Sequence, residues 1–546
     1  MIRTWPMMPC GTYRGVILFA FVFFLILNFI TSGGHTDMWD GMVTFLLTES
    51  MALKHTAQLH PEIPGISNAS TTNRVNSMLI HEVGNYKALT GKYFEWLSQS
   101  RPVEPVYASR SLLLPAIGVP FYFAASFLSV DALSFLVLSA NSIIIALTSL
   151  VIFAFALDVY GSRRVAFMLG LIFTGCSFVL PYNNSLFPQP LQGLCIISGI
   201  FFLYKARHIN SSYLCQFTLK RKANRNNGYL YAVLSGTLFG LSVIASPISG
   251  LFIPAYIICS IIYLKRNKKL LLSFVVTLVV LLVIMAVLNY IRFGSFSEFG
   301  YGDQYGAFSL NREWQGLLGL LLSPGKGVIF YFPAIVLLPL AIKYSFRLQT
   351  SLCFLTVYIF VALWIYFGTL LVGGESRSWS GAIAWGPRYL IPILPLVVVL
   401  LGGLLKYPRS PKTKRLINIS VAISAVAGFI INVGGILVWS EYGLIYAWER
   451  ERLDGLAWEL MTWEPKYSPI NLHMKMLYDN YVSTIPLEDY RDTGWDFALY
   501  GLAPCQYDLF IYCKFGIVPF LLLSCIAGLS AFPILVRNKW EEHVYS

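Results

Sequence analysis

Long apolar stretches alternate with shorter polar connectors along nearly the whole chain. The first stretch, residues 13–32, is long enough to cross a hydrocarbon core of roughly 30 Å as a helix. Comparable stretches follow at residues 132–157, 163–181, 187–207, 228–246, 248–264, 269–292, 327–344, 351–373, 388–405, 416–440 and 510–536. Only 12% of residues are charged, and the mean hydropathy is +0.63. The sequence therefore predicts an all-α integral membrane protein with about 12–13 transmembrane helices.

The net charge of +13 is concentrated in the short connectors between the apolar stretches. The basic residues of these connectors are Arg163, Arg164, Lys205, Arg207, Lys220, Arg221, Lys222, Arg225, Lys265, Arg266, Lys268, Lys269, Lys406, Arg409, Lys412, Lys414, Arg415, Arg537 and Lys539. Connectors rich in Lys and Arg mark the cytoplasmic side of a membrane protein. This distribution predicts a multi-pass protein of the cell membrane with both termini in the cytoplasm, and it explains the charge without a nucleic-acid partner. The first stretch lacks a small-residue cleavage site and is interpreted as a retained anchor.

The apolar segment at residues 111–130 does not fit this alternation. A full crossing there would move every later basic connector to the outside, against a local orientation signal. The segment also contains Pro115, Gly118 and Pro120, which suit a broken or re-entrant helix shielded by protein. We therefore expect it to dip into the outer leaflet, and a thirteenth span is the alternative.

The alternation places three large segments on the extracytoplasmic face, at residues 33–110, 293–326 and 441–509. Residues 1–440 are then predicted to form one transmembrane domain and residues 441–509 an extracytoplasmic cap. The last transmembrane helix and a cytoplasmic tail occupy residues 510–546.

The first of these loops carries candidate acid–base chemistry. Residues 38–55 have apolar positions at helical spacing, which predicts an amphipathic helix at the membrane interface. Asp37 and Asp40 lie at its start, just outside the first span. A carboxylate there can act as a general base near the lipid headgroups, although Asp is also a favoured N-cap residue. Because the two aspartates are three residues apart, one can cap the helix while the other faces a cavity.

Three cations on the extracytoplasmic side run against the positive-inside distribution. Arg292 ends a long span in NYIRFGS, Lys326 lies in LLSPGKGVIFYF, and Arg388 lies in WSGAIAWGPRY. A Gly/Pro loop that opens into a helix beside a lysine is a ready anion site. Snorkelling to lipid phosphates explains any one of the three singly. Together they favour a bound phosphate, and we predict that they converge on one phosphate group.

Several other chemistries lack their residue patterns. The sequence has no HExxH motif or paired metal spacing, no Walker loop and no acidic residue deep within a span. These features argue against a protein-only zinc site, ATP hydrolysis and proton-coupled transport. Asn141 and Asn432 are interpreted as residues that hydrogen-bond between helices. Cys505 and Cys513 are interpreted as unpaired interfacial thiols, and a disulfide outside the cytoplasm is the alternative.

Several local strings resemble the C-type membrane glycosyltransferases (GT-C). These strings are HTDMWDG, EPVYASRSLLLPAIGVPFYF, NYIRFGS followed by GYG, LLSPGKGVIFYFP and WSGAIAWGPRYLIPILP. The order of a span, a large outer loop with an early Asp and then further spans is also similar. The resemblance covers residues 13–440. It is strongest to the family 39-like branch of protein O-mannosyltransferases and lipid A aminoarabinose transferases.

The resemblance implies transfer of a monosaccharide from a polyprenyl-phosphate donor to a glycan, lipid or protein acceptor on the extracytoplasmic face, with inversion. It aligns Asp40 with the catalytic base and places Asp37 second. Tyr301 and Trp385 are candidates for the sugar pocket, although an interfacial aromatic belt explains both equally well. The alternative activity is that of a lipid-linked-glycan flippase or a glycan polymerase or ligase.

One departure from the family pattern concerns metal binding. The similar proteins often have an acidic residue in the loop after the third span, where this chain has Gln189 in PYNNSLFPQP. Two alternatives follow for the cofactor. Either a divalent cation on Asp37, Asp40 and Glu49 bridges the phosphate, or the reaction uses no metal.

Overall fold

The computed structural model describes residues 10–34, 38–58, 107, 111–128, 130–208, 225–300, 307–308, 313–346, 349–371, 378–381, 383–408, 410–449, 451, 457–479 and 507–535. Helices dominate these segments. The strands among them are β1 (Ala307–Phe308) and β2 (Leu370–Leu371), an antiparallel pair in which Ala307 lies opposite Leu371. The prediction of an all-α membrane protein is confirmed.

The helices are numbered here in chain order. The first ten are α1 (Cys10–Ile30), α2 (Met38–Lys54), α3 (Leu113–Ala125), α4 (Val130–Tyr160), α5 (Arg163–Cys176), α6 (Pro188–His208), α7 (Arg225–Ala245), α8 (Ile253–Leu264), α9 (Lys268–Phe293) and α10 (Glu313–Leu322). They are followed by α11 (Val328–Tyr331), α12 (Leu338–Ser345), α13 (Thr350–Thr369), α14 (Leu394–Lys406), α15 (Pro411–Leu437), α16 (Ser440–Glu449), α17 (Ala457–Trp463), α18 (Pro469–Tyr478), α19 (Phe510–Phe515) and α20 (Ile517–Leu535). Short 3₁₀ segments lie at Leu180–Asn184, Pro247–Phe252, Pro333–Leu337, Ser378–Ser380, Arg388–Ile393 and Pro465–Tyr467.

Eight helices in the described part of the chain are long and apolar enough to cross a membrane, by length and composition. The remaining predicted spans are present as shorter, interrupted or less apolar helices. Gly15–Ile30 and Pro333–Ser345 are shorter apolar helices, and α5 has 14 residues. The spans that begin at Pro247 and Arg388 start with a 3₁₀ segment. Proline removes a backbone donor and interrupts regular α-helical hydrogen bonding there.

α14 lies at the centre of the bundle. Each of its residues from Leu394 to Leu404 is buried, and it packs against α4, α5, α6, α12, α13 and α15. Between membrane helices the association depends on close packing, because lipid tails are as apolar as the side chains. A Cβ at Gly402 would lie 2.2 Å from the ring of Tyr160. Glycine at this position therefore allows α4 and α14 to approach each other closely.

Two buried asparagines join helices to other segments. Asn141 of α4 donates to the backbone carbonyls of Ser185 and Phe187. Asn432 of α15 donates to the Tyr331 carbonyl at 2.9 Å. The predicted hydrogen bond between helices is confirmed for Asn432, which joins α15 to α11, whereas Asn141 joins α4 to the segment before α6.

α2 is the helix predicted in the first loop, but its surroundings differ from the prediction. All of its residues from Val43 to Ser50 are buried, including Thr48 and Glu49. α3 covers this side of α2 so closely that a Cβ at Gly118 would lie 2.8 Å from the Thr48 methyl group. These residues of α2 therefore have no exposed polar side, because a later segment packs over the helix, and its position at the membrane interface stays a prediction.

α3 coincides with the apolar segment that broke the predicted alternation. It has 13 residues and contains Pro120. At 1.5 Å per residue it is about 20 Å long, which is less than the roughly 30 Å of a hydrocarbon core. Its length agrees with a helix that does not cross the membrane, and its orientation stays a prediction.

A cysteine at position 131, between α3 and the body of α4, tests this topology. We expect Asp131→Cys in intact cells to react with a membrane-impermeant maleimide, because α3 returns the chain to the side from which it came. A Lys412→Cys control in a basic connector should react only after permeabilisation. Labelling of position 131 only after permeabilisation would mean that α3 crosses the membrane and that the chain has thirteen spans.

α16, α17 and α18 form a small layer against one end of the bundle. They have their own apolar core, which includes Tyr442, Leu472 and Met476. This layer contacts the loop before α11, where the Gly325 amide donates to the Thr462 carbonyl at 3.1 Å. The layer falls within the predicted cap, of which residues 480–506 lie outside the described residues. The predicted domain boundaries stay a prediction.

The cysteines differ in part from their interpretation. Cys513 in α19 is disulfide-bonded, so its interpretation as an unpaired thiol is wrong. The described free thiols are those of Cys176, Cys195, Cys259, Cys353 and Cys525. Cys505 lies outside the described residues.

Candidate functional site

A cavity of about 580 Å³ opens among the ends of several helices. Its walls come from α2, the segment before α3, the start of α6, the connection from α7 to α8, the loop after α9, the end of α13 and the start of the Arg388–Ile393 segment. The lining residues are Thr44, Ser111, Phe187, Pro188, Gln189, Ala245, Ser246, Pro247, Ile248, Gly250, Leu251, Ser297, Glu298, Phe299, Tyr366, Phe367, Leu370, Arg388 and Tyr389. Its volume falls within the roughly 300–1,000 Å³ of small-molecule sites.

The cavity lies at the end of the bundle opposite the basic connectors. α6 begins at the cavity and carries Lys205 and Arg207 in its last turn, and α7 begins at Arg225 and returns to the cavity. α9 begins at Lys268, and the loop after it reaches the cavity. α14 ends at Lys406, and the 3₁₀ segment before it supplies Arg388. The cavity therefore lies at the end of the bundle that the sequence predicts to be extracytoplasmic.

Arg388 is the one positively charged residue among the described residues that line this cavity. Arg388 is only 8% exposed, and neighbouring side chains hold its guanidinium in place. The guanidinium carbon lies 4.9 Å from the ring centroids of both Phe187 and Tyr389, and Nη2 donates to the Tyr389 hydroxyl at 3.1 Å. Contacts of a guanidinium with aromatic faces are favourable and restrict its orientation. The cavity thus presents a positioned cation that can bind a phosphate or a carboxylate.

Gly381 makes room for the Arg388 side chain. Its backbone has φ +72°, and a Cβ there would lie 2.9 Å from Cγ of Arg388. A larger residue would be strained at this φ and would also displace the arginine. Glycine at position 381, in the WSGAIAWGPRY string, therefore allows the Arg388 side chain to occupy its position.

Lys326 contacts the loop that carries Arg388, but it does not line the cavity. Its side chain is 2% exposed, and Nζ donates to the backbone carbonyl of Ala384. The amides of Gly325 and Lys326 both donate to the Ser323 hydroxyl at 3.2 Å. The structure thus connects the SPGKG string to the segment just before Arg388, and it does not place the Lys326 ammonium among the cavity-lining groups.

Trp385 is packed inside the protein and does not line this cavity. Its indole nitrogen donates to Asn432 at 3.0 Å, and its ring lies 5.2 Å from Tyr331 and 4.7 Å from His473. Burial lowers the pKa of His473 to about 4, while its hydrogen bond to the Gly434 carbonyl raises it and nearby Lys326 lowers it. His473 is therefore neutral at pH 7. The predicted place of Trp385 in a sugar pocket stays a prediction.

The other predicted site residues are only partly described. Arg292 lies in the last turn of α9, with its guanidinium carbon 4.5 Å from the Phe293 ring, and is not among the cavity-lining residues. Asp37 and Tyr301 lie outside the described residues. Asp40 is the third residue of α2, and its side chain is not described. The convergence of Arg292, Lys326 and Arg388 on one phosphate stays a prediction.

The start of α2, which contains Asp40, lies close to the cavity wall. A Cβ at Gly41 would be 3.6 Å from the backbone nitrogen of Leu186, the residue before cavity-lining Phe187. Thr44 also lines the cavity. Asp40 precedes Thr44 by four residues, so the two positions lie on the same face of the helix.

Sequence reasoning did not identify two cavity residues with oxygen acceptors, Gln189 and Glu298. Gln189 was noted only as a departure from the family pattern. Glu298 lies between the strings NYIRFGS and GYG, both of which resemble the family. This position between two family-like strings is the one feature of the sequence that points to Glu298 as a site residue. The positions of Gln189 and Glu298 along the chain do not show that they line one cavity with Arg388. The packing of the helices between these residues brings them to the same cavity.

The described residues do not contain a group of three or more His, Cys, Asp and Glu side chains placed to bind a metal. The side chains of the predicted ligands Asp37 and Asp40 lie outside the described part of the structure. Glu49 is 2% exposed in the contact of α2 with α3, and its Oε1 accepts a hydrogen bond from the Tyr122 hydroxyl at 2.7 Å. A divalent cation therefore stays a prediction.

Burial raises the pKa of the Glu49 carboxyl from 4.5 to about 7, although the hydrogen bond from Tyr122 lowers it. A carboxyl whose pKa is raised on folding stabilises the folded state fully below its unfolded pKa, and this contribution is lost as the pH rises through the folded pKa. We expect the free energy of unfolding to fall by about 3 kcal/mol between pH 4.5 and about 7, and to level off above that range. Thermal unfolding in detergent across pH 4–9 measures this effect.

Glu49→Gln keeps the shape of the side chain and removes its titration. Its stability should therefore vary less with pH than that of the wild type. Glu459→Gln, at an exposed position of α17, should retain the full wild-type dependence. An unchanged pH profile in Glu49→Gln would contradict the raised pKa.

No protein-family model matches the sequence, and no curated protein matches it significantly. Among solved structures, the chain is similar to ArnT from Cupriavidus metallidurans bound to undecaprenyl phosphate, with a TM-score of 0.51 and 13% identity over 86% of this chain and 78% of that chain. The apo state of the same protein gives a TM-score of 0.46, 14% identity, and 96% and 76% coverage. The Archaeoglobus fulgidus oligosaccharyltransferase tethered with an acceptor peptide gives 0.44, 11%, and 81% and 57%.

The similarity to ArnT extends over most of both chains. Together with the eight apolar helices, it identifies the architecture. The chain is a multi-pass membrane protein whose fold is similar to that of ArnT.

Proposed function

We propose that the protein is an integral membrane glycosyltransferase that moves a monosaccharide from a polyprenyl-phosphate donor to an acceptor on the extracytoplasmic face. The observation that carries the proposal is Arg388, a cation positioned between Phe187 and Tyr389 in a cavity at the end opposite the basic connectors. The fold of ArnT, which has been crystallised with undecaprenyl phosphate, supports a lipid-linked phosphate as the ligand.

Arg388 is proposed to bind the phosphate of the donor. A guanidinium offers paired donors that match two phosphate oxygens. A hydrogen bond to a charged group contributes roughly 1.5–3 kcal/mol. A side chain that the protein has already restricted loses less conformational entropy when it binds the phosphate. Lys326 is proposed to support this site through the Ala384 carbonyl, to which its ammonium donates. Arg292 is proposed to contact the donor phosphate from the outer end of α9, at the depth of the lipid headgroup.

The proposed reaction is an in-line displacement at the anomeric carbon. The acceptor oxygen forms a bond to this carbon while the bond from the carbon to the phosphate oxygen breaks, with inversion. Asp40 takes the proton of the acceptor hydroxyl, and Asp37 is second in line for this role. The polyprenyl phosphate leaves as an anion that Arg388 stabilises without protonation. The start of α2 beside the cavity supports the placement of Asp40.

An extracytoplasmic site is supported by two independent features. The Lys and Arg connectors lie at the opposite end of the bundle, and such connectors are typical of the cytoplasmic side. Cys513, at the start of the last span, is disulfide-bonded, and disulfides persist mainly outside the cytoplasm. This orientation agrees with the prediction that both termini lie in the cytoplasm.

Transfer with doubly labelled donors tests the proposal. The purified protein in liposomes would receive polyprenyl phosphates that carry hexoses or pentoses, with one label on the sugar and another on the lipid. We expect the sugar label to appear on an acceptor from the source membranes while the lipid label remains on free polyprenyl phosphate. Movement of intact donor across the bilayer with both labels together would instead indicate a flippase, and would contradict a transferase.

A further inference from the structure

Two oxygen acceptors share the cavity with Arg388. Gln189 lies in the first turn of α6, and Glu298 lies in the loop after α9. Gln189 is two residues from Phe187, whose ring the Arg388 guanidinium covers. The cavity therefore combines one cation with two side chains whose oxygens accept hydrogen bonds.

The Glu298 carboxylate is held by its own loop. Its Oε1 accepts from the backbone amides of Phe299 at 3.0 Å and Gly300 at 2.7 Å. Two hydrogen bonds from backbone amides to one oxygen restrict the carboxylate without neutralising its charge. Glu298 thereby becomes a positioned acceptor in the wall formed by Ser297, Glu298 and Phe299.

Gln189 supplies the second acceptor. Its Oε1 is buried and has no hydrogen-bond partner in the described part of the chain. A buried acceptor left unsatisfied costs roughly 1–3 kcal/mol, so polar atoms of this kind in native proteins require an explanation. The prolines on either side, Pro188 and Pro190, restrict the backbone that carries this side chain. A ligand that donates a hydrogen bond in the cavity would satisfy the oxygen.

We infer that Gln189 and Glu298 form a hydroxyl-recognition subsite for the glycosyl group of the donor. The inference rests on the proposed function, in which Arg388 binds the phosphate of the same molecule. Sugar hydroxyls can donate hydrogen bonds, and an amide oxygen and a carboxylate accept them. A glycosyl phosphate has an anion at one end and hydroxyl donors at the other, and the cavity offers the complementary groups. Gln189 and Glu298 would thus determine which sugar is accepted.

Binding of two short ligands separates the subsite from the phosphate site. The probes are decyl phosphate and a panel of decyl phosphosugars with gluco, manno, galacto and arabino configurations, measured by calorimetry on the full-length protein in detergent. At least one phosphosugar should bind the wild type more tightly than decyl phosphate. Glu298→Gln and Gln189→Met should each lower the affinity for that phosphosugar about tenfold. The affinity for decyl phosphate should stay within about twofold.

Gln189→Met also gives a readout without ligand. It replaces an unsatisfied acceptor by an apolar group of similar size, which is neutral or stabilising in a buried position. The ligand-free variant should therefore unfold at the same temperature as the wild type or a higher one, while the stabilisation by the phosphosugar decreases. Glu459→Gln, exposed on α17, is the matched control for Glu298→Gln and should bind both probes as the wild type does.

The results distinguish the subsite from the proposed function. Equal losses for both probes in Glu298→Gln and Gln189→Met, or no loss for the phosphosugar, would overturn the subsite. A wild type that prefers no phosphosugar to decyl phosphate would also overturn it. If Arg388→Ala leaves the affinity for decyl phosphate unchanged, the phosphate assignment fails, and the ratio of the two probes in the Glu298 and Gln189 variants still decides the subsite.

Discussion

Asp40→Asn is expected to lower the turnover of sugar transfer by about 10²–10⁴-fold, the range that a general base supplies. The substitution keeps the size of the side chain and removes its ability to take the proton of the acceptor hydroxyl. Donor binding should persist, because the proposed phosphate ligand is Arg388. Single-turnover rates with labelled donor, together with the Kd for undecaprenyl phosphate, separate the two effects.

Two variants serve as controls for this result. Asp479→Asn, at an exposed position after α18, should transfer sugar at the wild-type rate. Asp37→Asn should have a smaller effect than Asp40→Asn, because the resemblance places Asp37 second. If Asp37→Asn abolishes transfer while Asp40→Asn does not, the roles within the pair are reversed.

Arg388→Ala is expected to reduce donor-dependent transfer by about 10–100-fold, since one charge-assisted phosphate contact contributes roughly 1.5–3 kcal/mol. Arg388→Lys should recover only part of the activity, because an ammonium retains the charge but lacks the planar fork. The measurement is the kcat/KM for the donor together with the Kd for undecaprenyl phosphate. Arg415→Ala, in an exposed basic connector, is the matched control and should leave both values unchanged.

Lys326→Ala should also lower transfer at least tenfold, but with a different signature. Its ammonium donates to the buried segment before Arg388, so its loss leaves the Ala384 carbonyl without this donor. A buried unsatisfied carbonyl costs roughly 1–3 kcal/mol, and the unfolding temperature should fall together with the activity. Activity and stability both at wild-type levels in Lys326→Ala would contradict any role in this site.

Hydropathy and charge were sufficient to predict the bundle. Apolar stretches of span length appear as helices, and the basic connectors fall at one end, because the bilayer imposes both features directly on the sequence. The burial of α2 was not predicted. Its covering partner, α3, comes from a separate part of the chain, and Thr48 against Gly118 is a contact that periodicity does not encode.

The candidate site was predicted only in part. Arg388 was singled out because a cation on the outer side is unusual, and it lines the cavity. Trp385 is a candidate for the sugar pocket by sequence, and in the structure it packs against Tyr331 and His473 inside the protein. Gln189 and Glu298 could not be predicted, because single polar residues at a helix start or in a loop carry no distinctive spacing. Their proximity arises only when α6 and α9 are packed in the bundle.

A structure of the full-length protein with undecaprenyl phosphate would test the proposed donor site most directly. We predict that the phosphate lies in the cavity, with an oxygen about 3 Å from the guanidinium of Arg388 and beside Phe187 and Tyr389. A phosphate bound at the end of the basic connectors, or in a site from which the Arg388 side chain is too distant for any contact, would contradict the donor site.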